Sequence, residues 1–249
     1  MSFLNYKKII KTKIFQFHKT PMYSDSFMLK LLDNNIKIQK ICSSDLLKDF
    51  YEYMLHEPRF VDFNFIDNFL EISHYFMNHF FQGVISPPTW KGLKIFKTIE
   101  DITLYTMLLQ DISFKSIVEL GTGNGNSLKF FQDISSNNLE IMSFDINGTQ
   151  DYCDLTNLDN LKSYQSKLKK LPSPILFIED SHTNTFEVLD YLFQFSTPGC
   201  YFYIEDSLIP EKFKEVKKFY EKYKNNLFVD KKYTGKFGQF NSIILKHLK

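Results

Sequence analysis

Apolar positions change their spacing partway along this chain, near residue 115. Before that point they recur at helical intervals. Glu71–Phe81 has a one-sided apolar pattern with Gly83 just beyond it as a stop, and Ile99–Leu109 repeats the pattern after the break at Pro87-Pro88. Residues 1 to about 85 therefore read as mostly helical. From Ser116 onward, short apolar runs alternate with amphipathic stretches. The pattern predicts strands at 116–120, 139–145, 174–179 and 200–205, with a helix at 183–195 and the turn Pro198-Gly199 leading into the fourth strand. A helix at 211–224 follows. Two closing runs, Leu227–Tyr233 and Phe240–Leu248, flank a loop holding Gly235 and Gly238 and read as an antiparallel hairpin. Strand–helix alternation implies a mainly parallel sheet, because parallel neighbours need a crossover. The expected architecture is α/β, with a helical N-terminal cap over 1–88 and a sheet-containing core over 89–249, and no linker between them.

The junction of the first core strand with its helix carries the chemistry. Residues 116–127 read Ser-Ile-Val-Glu-Leu-Gly-Thr-Gly-Asn-Gly-Asn-Ser, an apolar strand followed by glycines at 121, 123 and 125. Such a loop lets a ligand lie against bare backbone, and the helix after it offers free N–H groups. Asp145 closes the second strand twenty residues beyond Gly125, where a nucleotide-binding βαβ unit places a carboxylate on ribose hydroxyls. The dinucleotide pattern G-x-G-x-x-G fails at its third position, Asn126, which argues against a nicotinamide oxidoreductase. What stands here is E-x-G-x-G-x-G beginning at Glu119. That pattern resembles motif I of the class I S-adenosylmethionine-dependent methyltransferases. The resemblance implies a Rossmann-like sheet whose Glu119, Gly121, Thr122, Gly123, Gly125 and Ser127 hold the cofactor while Asp145 takes its ribose. Asp154, in the loop after the second strand, is a candidate for a contact near the adenine.

Two later strands end in acids, in Glu179-Asp180-Ser181-His182 and Glu205-Asp206-Ser207. Ligand crevices of doubly wound sheets lie at the carboxyl ends of the strands. Neighbouring strands run about 4.8 Å apart, so Glu179, Asp180, Glu205 and Asp206 would crowd together. Carboxylates sharing a site raise one another's pKa unless a cation neutralises them. An oxygen-only set suits a hard ion, Mg2+ first and then Ca2+ or Mn2+. Alternatively each pair splits, one acid facing solvent and the other capping the next helix. His182 overhangs the same crevice, either as a neutral imidazole able to take a proton from a substrate hydroxyl or as a hydrogen-bonding loop residue. His74 and His79 lie on the presumed cap helix as structural or substrate-lining groups.

Composition removes some classes. Formal net charge is +1 with acids and bases interspersed, so the chain lacks the basic stripe of a nucleic-acid binder. Cys42, Cys153 and Cys200 are odd in number and lack metal-ligand spacing, which points to a reducing, cytoplasmic setting. No apolar stretch is long enough to span a bilayer. Aromatics exposed on the N-terminal helices would favour a homodimer.

A narrower likeness runs from Trp90 to Asp206. Trp90, Gly92, Lys97, Asp101 and Tyr105 form W-x-G-x4-K-x3-D-x3-Y directly ahead of the glycine loop. This resembles the cephalosporin hydroxylase and rhamnosyl O-methyltransferase family. Glu179–His182 and the run from Pro198 to Asp206 also resemble the macrocin-type sugar O-methyltransferases. The likeness implies S-adenosylmethionine, a divalent cation and methyl transfer to a hydroxyl, with a sugar or sugar nucleotide as acceptor. Carried over, Glu179, Glu205 and Asp206 would bind the cation and His182 would be the base. The family usually has Asp at the Glu179 position, which leaves Glu179 and Asp180 as alternatives. Methylation of another small polar acceptor at O or N, or a non-catalytic cofactor-binding subunit, are the remaining readings.

Overall fold

The computed structural model describes residues 60–63, 89–95, 97–135, 138–147, 151–207, 209–235 and 242–249. The helix expected at 71–81, with Gly83, Pro87-Pro88, His74 and His79, lies outside these residues. In chain order come β1 (Phe60–Val61), β2 (Thr89–Trp90), β3 (Leu93–Lys94) and α1 (Ile99–Asp111). Next are β4 (Ser116–Leu120), α2 (Asn126–Ile134), β5 (Glu140–Asp145), β6 (Asp151–Tyr152), α3 (Leu158–Lys162) and α4 (Gln165–Leu168). The chain continues through β7 (Ile175–Glu179), α5 (Thr185–Phe193), β8 (Tyr201–Ile204), α6 (Pro210–Tyr223), β9 (Leu227–Asp230) and β10 (Ile243–His247).

One eight-stranded sheet has the order β1-β9-β10-β8-β7-β4-β5-β6. Strands β4 to β8 pair in parallel, while β10 lies between β8 and β9 and runs antiparallel to both. β4, β7 and β8 are buried along their whole length because helices cover both faces, which explains apolar runs without alternation. Alternate residues still part to opposite sides. Phe177 and Phe202 pack with Val188 and Leu192 of α5 and Phe219 of α6. Ile178, Tyr201 and Tyr203 pack with Leu104 and Leu108 of α1 and Phe131 of α2.

α1 begins in a capping box, with Thr98 Oγ1 accepting from Asp101 N at 3.1 Å and Asp101 Oδ2 accepting from Thr98 N at 3.3 Å. The hairpin strands end earlier than their apolar runs suggest. β9 stops at Asp230, whose carbonyl accepts from Tyr233 N and Thr234 N and turns the chain. Phe60–Val61, within the stretch whose pattern reads as helical, pairs with Asp230 and Val229 as an edge strand. The hairpin of β2 and β3 and the edge strand β6 are too short to leave a periodic signal. Among the described residues no helix is long and apolar enough to cross a membrane.

Candidate active site

The carboxyl ends of β4, β5, β7 and β8 converge on one edge. Gly121, Gly123 and Gly125 all adopt left-handed backbone. At Gly121 the reason is internal, since a Cβ would lie 2.6 Å from the Asp180 backbone. At Gly123 a Cβ would meet nothing within 4 Å, so that glycine keeps open space beside the loop. Gly125 caps α2 with no side-chain hydrogen bond, leaving the helix N-terminus to the loop. Asp145 is oriented by two backbone donors, Gly123 N to Oδ2 and Asn147 N to Oδ1, both at 2.8 Å. Each oxygen keeps a lone pair for a further donor such as a ribose hydroxyl. Ile146, 59% exposed, offers an apolar surface next to it.

Other residues expected at the cofactor act from beneath. Glu119 is fully buried, accepting from Ser127 Oγ at 2.8 Å, and Ser127 Oγ lies 3.2 Å from Thr122 Oγ1. This ties the end of β4 to the start of α2. Asp154 closes its own turn, accepting from Thr156 N at 2.9 Å and Thr156 Oγ1 at 2.6 Å, and these bonds hold its pKa below the usual range. The backbone brings it beside β5, because Cys153 N donates to Asp145 O.

The four strand-end acids do not form one cluster. Lys97, with its side chain 3% exposed, reaches Asp180 Oδ2 at 2.7 Å, Glu205 Oε1 at 2.8 Å and Glu119 Oε1 at 3.4 Å. Burial opposes its charge, but Asp180, Glu205 and Glu119 outweigh burial and hold its pKa well above the ordinary value. Glu205 is the opposite case, its pKa raised well above the usual range by burial and then by Asp180. Tyr105 donates its hydroxyl to the same Glu205 oxygen and stacks on Tyr203, whose hydroxyl donates to Asp101.

Glu179 turns the other way. Its carboxylate accepts from Ser181 N, Ser181 Oγ and His182 N, and pairs with buried Lys212 Nζ at 2.7 Å. The carried-over set Glu179, Glu205 and Asp206 is therefore not gathered around one point. Two of its members are held by lysines. Both lysines escape a reading of the sequence for site residues. Lys97 is signalled only by its place in the W-x-G-x4-K pattern, and Lys212 looks like one of several solvated lysines on α6.

A different trio does converge. Asp180, His182 and Asp206 each offer one ligand atom, all within 4.8 Å of one another. His182 Nε2 lies 3.4 Å from Asp180 Oδ1 and 3.4 Å from Asp206 Oδ2. Hydrogen bonding to Asp180 and then Asp206 raises the His182 pKa to about 9, and burial only partly opposes this. The two carboxylates thus favour the protonated imidazole over the neutral base expected from the sequence. Burial works to raise Asp180, but Lys97 and His182 bring it down to about 2. His182, Asn184 and Asp206 all have positive φ, a cost borne at the ends of β7 and β8. Beside them opens a pocket of about 620 Å3 lined by His182, Asp206, Glu187, Ile209, Glu211 and Glu215, among others.

Two groups can be tested against this edge. The open space at Gly123, the oriented Asp145 carboxylate and apolar Ile146 fit a nucleoside cofactor. A divalent cation fits Asp180, His182 and Asp206 by donor chemistry and spacing.

No family model and no curated protein matches the chain. Among solved structures it resembles CmcI. The CmcI-D160 structure with Mg and SAM is 24% identical with a TM-score of 0.56, covering 66% of this chain and 78% of that one. The CmcI-N160 apo structure is 24% identical at TM-score 0.55, covering 66% and 77%. The CmcI-N160 structure with SAH is 24% identical at TM-score 0.53, covering 66% and 84%. The likeness is one of fold, and with the sheet order it defines the class: a Rossmann-like α/β fold of the class I methyltransferase type.

Proposed function

We propose that this chain is an S-adenosylmethionine-dependent O-methyltransferase acting on a hydroxyl of a sugar or sugar nucleotide, with a divalent cation assisting. One observation carries the reading. The glycine loop with Asp145 and the Asp180–His182–Asp206 trio share one sheet edge, and a pocket large enough for a sugar opens beside His182 and Asp206. The complexes of CmcI with SAM and with SAH support the same choice of cofactor.

In this reading Gly123 and the N-terminus of α2 receive the cofactor, and Asp145 accepts hydrogen bonds from its ribose hydroxyls. Glu119, Thr122 and Ser127 fix the loop from below. The acceptor enters by the pocket, where Asp206, Glu187 and Glu211 supply acceptors for its hydroxyl groups. Its attacking oxygen lies beside Asp180, His182 and Asp206 and attacks the sulfonium methyl carbon in line with the C–S bond. The C–O bond forms as the C–S bond breaks, S-adenosylhomocysteine leaves, and the hydroxyl proton passes to the acidic edge. A bound cation would supply a lowered pKa at that hydroxyl. Holding two reactants in line accounts for much of the acceleration.

The carboxylates lining the pocket also favour a second reading, an acceptor carrying an amine, with methylation at O or N. Calorimetry with S-adenosylhomocysteine, using NAD as control, tests the cofactor. Transfer of labelled methyl from S-adenosylmethionine to a panel of sugar nucleotides and amino sugars tests the acceptor. Absence of S-adenosylhomocysteine binding, or a preference for NAD, would overturn the reading.

A further inference from the structure

Resting on the methyltransferase reading, we infer that the divalent cation is bound by Asp180, His182 and Asp206, and that this site prefers a first-row transition ion such as Mn2+ to Mg2+. The site thus takes Asp180, just past the end of β7, rather than Glu179, and His182 in place of Glu205.

The first ground is that Glu179 and Glu205 are engaged. The Glu179 carboxylate is paired with Lys212 at 2.7 Å and takes three further donors from Ser181 and His182. Glu205 is paired with Lys97 at 2.8 Å and accepts the Tyr105 hydroxyl. Drawing the Glu179 carboxylate to a metal would leave the buried Lys212 ammonium without its partner, a change buried pairs resist strongly. Glu205 shares Lys97 with Asp180 and Glu119 and lies outside the convergent trio. Glutamate is one methylene longer than the aspartate usual in the resembling family, and it is this longer side chain that meets Lys212.

The second ground is spacing. Donors about 2.2 Å from an ion at right angles stand about 3 Å apart. The 3.4 Å separations from His182 Nε2 to Asp180 Oδ1 and Asp206 Oδ2 need only a small closure to reach that arrangement. Lys97 holds the other oxygen of Asp180, Oδ2, so Oδ1 is the one turned to the trio. The pocket adjoins His182 and Asp206, where an acceptor hydroxyl could complete the coordination.

The third ground is donor type. Mg2+ takes oxygen ligands at near-ideal octahedral geometry, whereas an imidazole nitrogen beside two carboxylates suits a first-row transition ion. The trio contains that nitrogen.

The test is Mn2+ titration of the full chain, stripped of metal, followed by electron paramagnetic resonance. One Mn2+ should bind, about tenfold or more tighter than Mg2+ by competition, with nitrogen coupling in the pulsed spectrum. His182→Gln should abolish that coupling and weaken Mn2+ by about tenfold or more, as should Asp206→Asn, while Glu205→Gln stays within about twofold. Bound Mn2+ without nitrogen coupling would overturn the inference, and this holds for the unsubstituted chain even if a variant fails to fold. So would no Mn2+ binding by protein that still binds S-adenosylhomocysteine, or Glu205→Gln losing Mn2+ as fully as Asp206→Asn. Mn2+ binding with nitrogen coupling in protein that ignores S-adenosylhomocysteine would uphold the cation site and remove the methyltransferase reading.

Discussion

Lys97 Nζ lies 2.7 Å from Asp180 Oδ2, joining the segment ahead of α1 to the end of β7 across 83 residues of sequence. The same ammonium reaches Glu205 and Glu119, so one buried cation balances the ends of three adjacent strands. Its removal would leave carboxylates facing one another in a medium that cannot screen them.

Lys97→Met should therefore destabilise the fold by roughly 3–5 kcal/mol at neutral pH. Lys97 helps hold the Asp180 pKa down to about 2, so the stability it confers is present above the unfolded carboxylate value of about 3.9 and the loss should shrink only as pH falls below that. Thermal unfolding at about pH 7.5 and about pH 3 checks this. A loss independent of pH would mean that Lys97 acts by packing its stem alone.

Two glycines should part stability from binding. Gly121→Ala places a Cβ 2.6 Å from the Asp180 backbone at a φ of +87°, and should cost several kcal/mol, roughly 2–5, of unfolding free energy. Gly123→Ala meets open space, so it should cost only the left-handed penalty of about 1–2 kcal/mol. If the cofactor lies against that backbone, Gly123→Ala should nonetheless weaken S-adenosylhomocysteine at least about tenfold by calorimetry.

Asp145→Ala should lower affinity for S-adenosylhomocysteine by about 1.5–3 kcal/mol, the scale of hydrogen bonds to a charged group. Melting temperature should move much less, since Asp145 is only partly buried. Equal damage to both would identify the carboxylate as a loop brace for Gly123 and Asn147.

Trp90 is the only tryptophan and reports on one acid. Its indole donates to Asp133 Oδ2 at 2.9 Å and meets Phe130 edge-on at 5.3 Å. Hydrogen bonds from Lys129, Lys91 and Trp90 hold the Asp133 pKa well below the carboxylate range. A depressed folded-state pKa gives stability that is present above the unfolded value, about 3.9, and is lost as pH falls through the folded value. Tryptophan emission should thus stay constant from pH 7 to 5 and shift red in stronger acid. Asp133→Asn should show the shifted emission already at pH 7.

Much of the architecture was legible because it depends on local pattern. The runs at 116–120 and 139–145 became β4 and β5 within a residue, and Ile99–Leu109 became α1 with two residues added. The strand at Phe60–Val61 was not legible, because a two-residue edge strand leaves no period and owes its existence to the exposed edge of β9. Among the site residues, Asp145, Asp180, His182 and Asp206 were marked by their places at strand ends. Lys97 and Lys212 were not, because a lysine side chain reads as solvated until the fold shows what surrounds it.

By itself, the sequence determined the longer strands and helices of the core, the glycine loop and the acids at strand ends. These follow from apolar spacing and from the backbone freedom of glycine, both of which act over a few residues. Only the tertiary structure decided how the acids are divided. Glu205 meets Tyr105 across 100 residues and Glu179 meets Lys212 across 33, leaving His182 and Asp206 to line the pocket with Asp180 beside them. Charge pairing is a matter of distance in space, and no local pattern encodes which buried ammonium each carboxylate will find.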